Sequence, residues 1–307
     1  MKNLRLIIIV CLSVVATSCK KETKDAVKPQ KDSLNAKKDT VIQPEFHKEL
    51  YGIYTGEFIG KEIVKDEQVD SEYITEISKR LSLKINRITK DSVYGQSIVN
   101  GNQRPFRGIF NKDSKSFVLD EPGDHKTDGR FEVKITNDSL TGKWMAFKKS
   151  AVKTPTKTLK LIKKEFVYNP NFMLNEEDDL IDWNDPQKFV EKYIDPQSGK
   201  TEKFTTYKNR IASDAVFTIN ASKQQLAEND LKTLRQLDLQ IIKTSISARH
   251  GYSFKKETYR NFFEQTDWYI PVSDNVDNNL IPTEKENVIL LNRFIKYAED
   301  KYDYFGR

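Results

Sequence analysis

The stretch RFEVKITNDSLTGKWMAF, residues 130–147, indicates the fold of the first half of the chain. Phe131, Val133 and Ile135 alternate with charged residues, which is typical of a β-strand with one buried and one hydrated face. The polar residues 137–139 then mark a tight turn, and a second alternating run follows them. Two alternating runs joined by a short polar turn predict an antiparallel β-hairpin.

The same pattern recurs along the chain. Residues 88–95 (ITKDSVYG) echo residues 135–142 (ITNDSLTG), and residues 110–114 have the form of a third corner. Short strands with close turns predict a small antiparallel β-domain over residues 45–166, either a barrel or a sandwich. We expect side chains, including Trp144, to fill its interior. The eight predicted strands span residues 51–59, 80–89, 92–99, 104–110, 116–119, 130–136, 139–147 and 157–165.

The N-terminus has the features of a bacterial lipoprotein signal. Lys2 and Arg5 give it a positive start, and residues 6–16 form an eleven-residue apolar segment. This segment is shorter than the roughly 20 residues that cross a bilayer. The following ATSC, residues 16–19, resembles the lipobox, which is cut after lipid is attached to its cysteine. The resemblance implies that Cys19 carries the lipid; the alternative is an ordinary secretory signal with an incidental cysteine.

This signal predicts that the protein is located in the cell envelope. We expect residues 1–18 to be removed as a signal peptide. Residues 19–44 are rich in lysine and poor in apolar side chains, so we expect a disordered tether. No aspartate follows Cys19, so the inner-membrane retention signal of enterobacterial lipoproteins is missing. The predicted location is therefore the outer membrane, with the protein bound through its N-terminal lipid and facing the periplasm or the cell surface.

Most of the net charge of +6 comes from the N-terminal segments. Residues 1–44 hold nine basic and four acidic residues, whereas 42 basic and 41 acidic residues remain in the rest. Binding to nucleic acid requires positive charge clustered on the folded part, so we expect no nucleic-acid partner. Two cysteines and three histidines argue against a disulfide scaffold and a cysteine-rich zinc site.

Residues 167–220 form a mixed, acidic connector. Six carboxylates cluster within residues 176–185, and oxygen-rich clusters can bind Ca²⁺. The ordered spacing of a calcium loop is absent, which favours a solvated acidic loop, and we predict no metal site and no cofactor. Asp185 followed by Pro186 fits the start of a helix. We therefore predict a short helix that ends at about Tyr193.

The C-terminal part, residues 221–307, is predicted to be a mainly helical module, which makes the fold class α+β. Leu237 and Ile241 belong to a broad apolar face at helical spacing, on a helix of about fourteen residues. This helix ends near Arg249. Gly251 suits the left-handed backbone position that commonly follows a helix end.

The residues around this helix end resemble the YARHG domain, a small module of exported bacterial proteins. The similarity covers residues 222–299 and includes ARHG at residues 248–251, WYxP at residues 268–271 and ExxN at residues 284–287. Ser247 stands where the family has its name-giving tyrosine. The resemblance implies a fold unit and an envelope setting, and it implies no reaction.

The chain carries no recognised catalytic motif. His47, His125 and His250 are present, but a Gly-x-Ser-x-Gly elbow, a His-Glu-x-x-His motif and a phosphate-binding glycine loop are absent. We therefore predict no catalytic residues. The leading interpretation is non-catalytic binding of an envelope component, namely a glycan, a peptide or a partner protein. The alternatives are a structural or assembly role and a hydrolase with an unrecognised site.

Two interpretations remain open for the motif residues. They either bind a ligand, because aromatic rings near Arg and His supply stacking and hydrogen bonds, or they hold the module together at a helix end. In the second case, which we favour, Arg249 bridges Glu284 and His250 bonds a backbone carbonyl. Exposed aromatic rings would favour the first interpretation, and buried rings the second. The candidate residues are Arg249, His250, Gly251, Tyr252, Trp268, Tyr269 and Glu284.

Overall fold

The computed structural model describes residues 43–66, 71–178 and 180–298. The predicted signal peptide, nearly all of the tether and the lipidation site Cys19 lie outside the described residues. Within the described residues, no helix is long and apolar enough to span a bilayer.

Eight antiparallel strands close into a barrel, so the predicted fold class is confirmed and the barrel form is the one present. The strands are β1 (Gly52–Asp66), β2 (Ser71–Ile88), β3 (Val93–Val99), β4 (Asn102–Asn111), β5 (Ser116–Asp120), β6 (Gly129–Thr136), β7 (Ser139–Ala146) and β8 (Thr156–Lys164). Each strand pairs with the next, and β1 pairs with β8 to close the barrel. The order follows from local turns such as the one at Asn137, whose φ of 53° an asparagine tolerates.

Apolar side chains fill the barrel interior. Phe131, Val133 and Ile135 of β6 are buried, while the charged residues between them face outward, as the alternation predicts. Trp144 is also buried, and its indole N–H donates to the carboxylate of Glu121 at 3.2 Å. The core position of Trp144 is therefore confirmed.

The hairpin of β1 and β2 continues beyond the barrel. Pairing of β1 with β8 ends at Gly60, whereas pairing with β2 continues to Asp66. In this extension Ile63 and Ile74 lie directly opposite each other, and both are exposed. Lys61 and Glu76 form an ion pair beside them.

A second hairpin stands where we predicted a short helix after Pro186, so that prediction is wrong. It consists of β9 (Ile181–Ile194) and β10 (Thr201–Ile211), which form a two-stranded sheet of their own. The turn between them contains Gly199, whose φ is +67°. The strand prevails because β9 gains a cross-strand partner along most of its length. A helix of this length would have been stabilised only by its own few backbone hydrogen bonds, which are marginal in water.

In the described part of the module, which follows the second hairpin, there are five α-helices. They are α1 (Ala215–Thr218), α2 (Glu228–Leu231), α3 (Gln236–Arg249), α4 (Glu257–Phe263) and α5 (Pro282–Tyr297). The predicted helix over Leu237 and Ile241 is α3, and both residues are fully buried. Together with Leu291 of α5 and Phe263 of α4 they belong to one apolar core.

The outer face of the barrel contacts the module. Arg80 of β2 donates hydrogen bonds to the backbone carbonyls of Glu264, Thr266 and Tyr269, just after α4. Gly101, in the turn between β3 and β4, lies so close to the backbone of Phe254 that a Cβ atom there would come within 2.4 Å of its carbonyl oxygen. The barrel and the module therefore share a close-fitting contact.

Candidate functional site

Arg249 is buried at the end of α3, with 2% of its surface exposed. Its guanidinium donates to the backbone carbonyl of Phe172 at 2.7 Å and to the hydroxyl of Ser222 at 3.1 Å. It also lies 3.1 Å from the sulfur of Met173. Arg249 therefore attaches the end of α3 to the segment that precedes the module.

Glu284, near the start of α5, is fully buried and joins three parts of the chain. Its Oε2 lies 2.7 Å from Nε2 of His250 and accepts the backbone amide of Ile281 at 3.1 Å. Its Oε1 accepts the hydroxyl of Tyr168 at 3.1 Å. The ring of Tyr168 also stacks on His250, with the centroids 4.3 Å apart.

These contacts correct one expectation. We predicted that Arg249 would bridge Glu284 and that His250 would bond a backbone carbonyl. In the structure the two partners are exchanged: His250 contacts the carboxylate of Glu284, and Arg249 donates to a backbone carbonyl. Arg249, the last residue of α3, faces the segment at Phe172, whereas His250, the next residue, faces α5. The two side chains therefore reach different partners.

Burial and hydrogen bonding act in opposite directions on the ionisation of this cluster. Burial works to raise the pKa of Glu284, but hydrogen bonds, led by the one to His250, hold that pKa below its ordinary value. Burial and the nearby carboxylate raise the pKa of Tyr168 to about 12. Burial lowers the pKa of Arg249 to about 10, so its guanidinium stays charged at neutral pH.

The predicted aromatic residues face inward. Tyr269 is buried and donates its hydroxyl to the carbonyl of Tyr252 at 2.7 Å. Trp268 is half-buried, donates its indole N–H to the carbonyl of Met173 at 2.8 Å and stacks on Phe172. These rings therefore complete the core and the contact with the preceding segment, as the second interpretation expects.

Gly251 sits where the chain leaves α3. Its φ is +74°, a left-handed conformation that glycine adopts at little cost. A Cβ atom here would come within 2.5 Å of Val272 and 2.8 Å of Phe166. Both the backbone and the space thus require glycine. Ser247, which replaces the name-giving tyrosine, uses its backbone carbonyl to accept the amides of His250 and Tyr252.

A second buried polar cluster was not foreseen. Asp182 of the predicted acidic loop is fully buried, where it pairs with Arg210 and accepts the hydroxyl of Thr258 at 2.7 Å. It thereby attaches the base of the second hairpin to α4. Asp185 lies 3.5 Å from the same arginine. Two carboxylates of the acidic cluster therefore have protein cations as partners, and in the described ranges no set of metal-ligating side chains is found.

Sequence reasoning missed Tyr168, Phe172, Met173 and Ser222, which complete the motif cluster. No local signal identified them, because their role depends on chain segments that meet only in the folded protein. The aromatic residues at positions 166, 168 and 172 show only that this segment has rings to bury, and they do not indicate what the rings contact.

An open groove lies between the barrel and the module, beside the second hairpin. It has a volume of about 430 Å³. Trp183 lines it with 66% of its surface exposed. Glu57 from β1 and the amides Asn261 and Gln265 from the α4 region also line it. The groove therefore combines an aromatic ring with hydrogen-bonding side chains.

A second depression, of about 600 Å³, lies at the rim of the barrel and reaches His250. The ring of His250 is nevertheless buried, and its Nε2 is occupied by Glu284. Of the two spaces, the groove at Trp183 presents the more accessible side chains.

Comparison with known proteins identifies the helical module. Residues 215–295 match the YARHG domain, from the start of α1 to the last turns of α5. No curated protein matches the chain, and no solved structure does. The YARHG domain accounts for the module, and the barrel and the second hairpin lie outside the match.

Proposed function

We propose that the chain is a lipoprotein of the bacterial cell envelope that binds an envelope glycan without catalysing a reaction. The N-terminal pattern up to Cys19 supports export and lipid attachment, and the YARHG domain is typical of exported proteins. The lack of an aspartate after Cys19 favours the outer membrane. The signal peptide of residues 1–18 and the lipid are part of this proposal.

The observation that carries the proposal is the exposed Trp183 in its groove. An indole face stacks on the apolar face of a sugar ring, and this contact favours Trp over other aromatic residues. Glu57, Asn261 and Gln265 supply donors and acceptors for the hydroxyl groups around the ring. Among the glycan, peptide and partner-protein ligands considered, the glycan fits this combination best.

Binding of peptidoglycan fragments tests the proposal. Trp183 is the most exposed of the three tryptophans, since Trp144 is buried and Trp268 half-buried. Soluble peptidoglycan fragments should therefore protect part of the fluorescence from quenching by iodide. Trp183→Ala should weaken binding about tenfold, as expected for loss of one stacking ring. Tyr73→Ala, which removes an exposed ring of β2 outside the groove, is the matched control.

Equal binding by wild-type protein and Trp183→Ala would refute the groove as the glycan site. Analysis of the fragments after incubation separates binding from hydrolysis. Shortened fragments would favour the hydrolase alternative, whereas unchanged fragments agree with binding alone.

A purely structural or assembly role is the second candidate. It is favoured by one observation: the side chains of Arg249, His250 and Glu284 each form hydrogen bonds inside the protein. In that case the wild-type protein would bind no glycan. Deletion of the protein from the cell would then impair only the integrity of the envelope.

A further inference from the structure

The second hairpin has two unlike faces, which its register defines. Residues directly opposite in an antiparallel pair share a face. Val190 lies opposite Thr205, and Lys192 opposite Lys203. We call the face that contains them the basic face. Its members are Lys188, Val190, Lys192, Ile194, Thr201, Lys203, Thr205 and Tyr207, and all of them are exposed.

The charge on the basic face is of one sign. It carries three lysines and no carboxylate. The carboxylates of the same strand segments, Glu191 and Glu202, lie on the opposite face, where Glu191 accepts the hydroxyl of Thr206. Because the carboxylates lie on the other face, no lysine of the basic face has a carboxylate as its direct cross-strand partner.

One pair on this face opposes folding. Lys192 and Lys203 are direct cross-strand neighbours, and like charges in this position destabilise a sheet. The hairpin has little stability to lose, because a two-stranded sheet is marginal by itself. An anion that binds between the two ammonium groups would relieve this repulsion.

The same face is also apolar. Val190, Ile194 and Tyr207 are 61%, 65% and 65% exposed and alternate with the lysines. The surface of an anionic bilayer accommodates both kinds of side chain, since apolar groups enter the acyl boundary while lysine stems extend to the lipid phosphates. A soluble polyanion would satisfy the lysines and leave the three apolar side chains in water.

We propose that the basic face of the β9–β10 hairpin binds the surface of an anionic phospholipid bilayer. This contact is a second attachment to a membrane, distinct from the lipid at Cys19 and from the groove at Trp183. It goes beyond the proposed function and does not depend on glycan binding. One lysine near an anionic membrane strengthens binding about fivefold.

Vesicle co-sedimentation tests the proposal. The protein is residues 19–307 with Cys19→Ser, so that neither an acyl chain nor the apolar N-terminal segment contributes; all described elements follow residue 42. The vesicles are phosphatidylcholine alone or its equimolar mixture with phosphatidylglycerol. We expect binding to the mixture only, and weaker binding at higher salt.

Two substitutions identify the face. Lys192→Gln with Lys203→Gln should weaken binding about 25-fold, because two of three lysines lose their charge. The unfolding midpoint should not fall, since the substitution removes two opposed charges. Lys134→Gln with Lys160→Gln, two exposed lysines on the outer barrel face, is the matched control and should bind as the wild type does.

The apolar part of the face has its own variant. Val190→Ser with Ile194→Ser keeps every charge and should also weaken binding to the mixed vesicles. Equal binding to both kinds of vesicle, or no binding, would overturn the proposal. The proposal would also be overturned if soluble polyaspartate displaced the protein from the vesicles and the serine variant bound the vesicles as tightly as the wild type. That result would favour an acidic polymer as the partner. Glycan binding at Trp183, measured on the same proteins, reports separately on the proposed function.

Discussion

Glu284 receives contacts from three segments that are far apart in the sequence: the start of α5, the end of α3 and the stretch that follows β8. A single carboxylate can serve all three because its two oxygens offer several lone pairs. The ExxN string continues this role through Asn287, which is fully buried. Its side-chain amide donates to the carbonyls of Ala221 and Gln224 and accepts the amide of Leu226. The motif thus holds chain segments together through buried polar groups.

The first prediction concerns Arg249. Arg249→Ala should lower the free energy of unfolding by about 3 kcal/mol, because it leaves the Phe172 carbonyl unpaired and opens a cavity. Chemical denaturation measures the change. Arg293→Ala is the control: this arginine pairs with Glu228 at the surface, and such pairs contribute about 0–1 kcal/mol. Similar unfolding midpoints for the two variants would contradict the structural role of Arg249.

The second prediction concerns pH. The pKa of Glu284 in the folded protein lies below its ordinary value, so its ionised form stabilises the fold above the unfolded pKa of about 4.5. That contribution is lost as the pH falls through the lower, folded pKa. Glu284→Gln removes it at every pH. The variant should be less stable than wild type at neutral pH, and its stability should fall less between about pH 6 and pH 3.

Unfolding curves collected across this pH range provide the measurement. Glu286→Gln, an exposed neighbour on α5, is the matched control and should keep the wild-type slope. Parallel slopes for Glu284→Gln and wild type would show that Glu284 does not supply the linkage.

At the residue scale, sequence alone predicted the positions whose reasons are local. Gly251 was identified because a helix end demands a left-handed residue there. Tyr168 was not, because its contacts to His250 and Glu284 arise only when the segment after β8 packs on the module. The pairing of Arg249 and His250 was expected in the wrong order for the same reason: both acceptors lie far away in the chain.

At the element scale, the two hairpins show how local and distant signals compete. Asp185 and Pro186 are good local signals for a helix start, yet β9 forms there because β10 pairs with it. Asp182, at the base of β9, also attaches the hairpin to Thr258 of α4. Neither partner lies within the window that a helix signal covers. The barrel strands were predicted more closely, since all of their pairings except the closing pair β1–β8 join strands that follow one another in the chain.

The third prediction compares two glycines that share a backbone conformation. Gly101 has φ +74° and Gly199 has φ +67°. Alanine at either position should cost about 1 kcal/mol for the left-handed backbone. Gly101→Ala should cost clearly more, because its Cβ would also meet the Phe254 backbone, whereas no atom lies within 4 Å of a Cβ at Gly199. Thermal unfolding of the two variants measures the loss of stability in each. Equal losses would contradict a close contact between the barrel and the module.

At the scale of the whole molecule, the order of a β-domain followed by a helical module was predictable from the change in periodicity. That the two parts touch was also expected, but the residues that form the contact could not be predicted. Arg80 looks like an ordinary outward-facing residue of an alternating strand, and only the folded chain shows that it ends among the carbonyls after α4. The alternation of apolar and polar residues indicates which face of a strand points away from the barrel core. It does not indicate which other part of the chain covers that face.

The last prediction concerns attachment of the whole protein to a membrane. If Cys19 carries the lipid, Cys19→Ser should leave the protein uncleaved or release it from the membrane fraction. A single acyl chain holds a membrane only marginally, so stable retention needs several chains or a second contact. The only other cysteine, Cys11, lies in the predicted apolar segment and provides a matched control. Cys11→Ser should leave processing and retention unchanged.

Fractionation of cells, combined with mass spectrometry of the mature N-terminus, measures both properties. The basic face adds a refinement. If the hairpin also binds anionic lipid, the soluble Cys19→Ser protein should return partly to membranes at low salt and leave them at high salt. Processing and retention unchanged in Cys19→Ser would rule out lipid attachment, and the anchor would then have to be sought in another part of the chain.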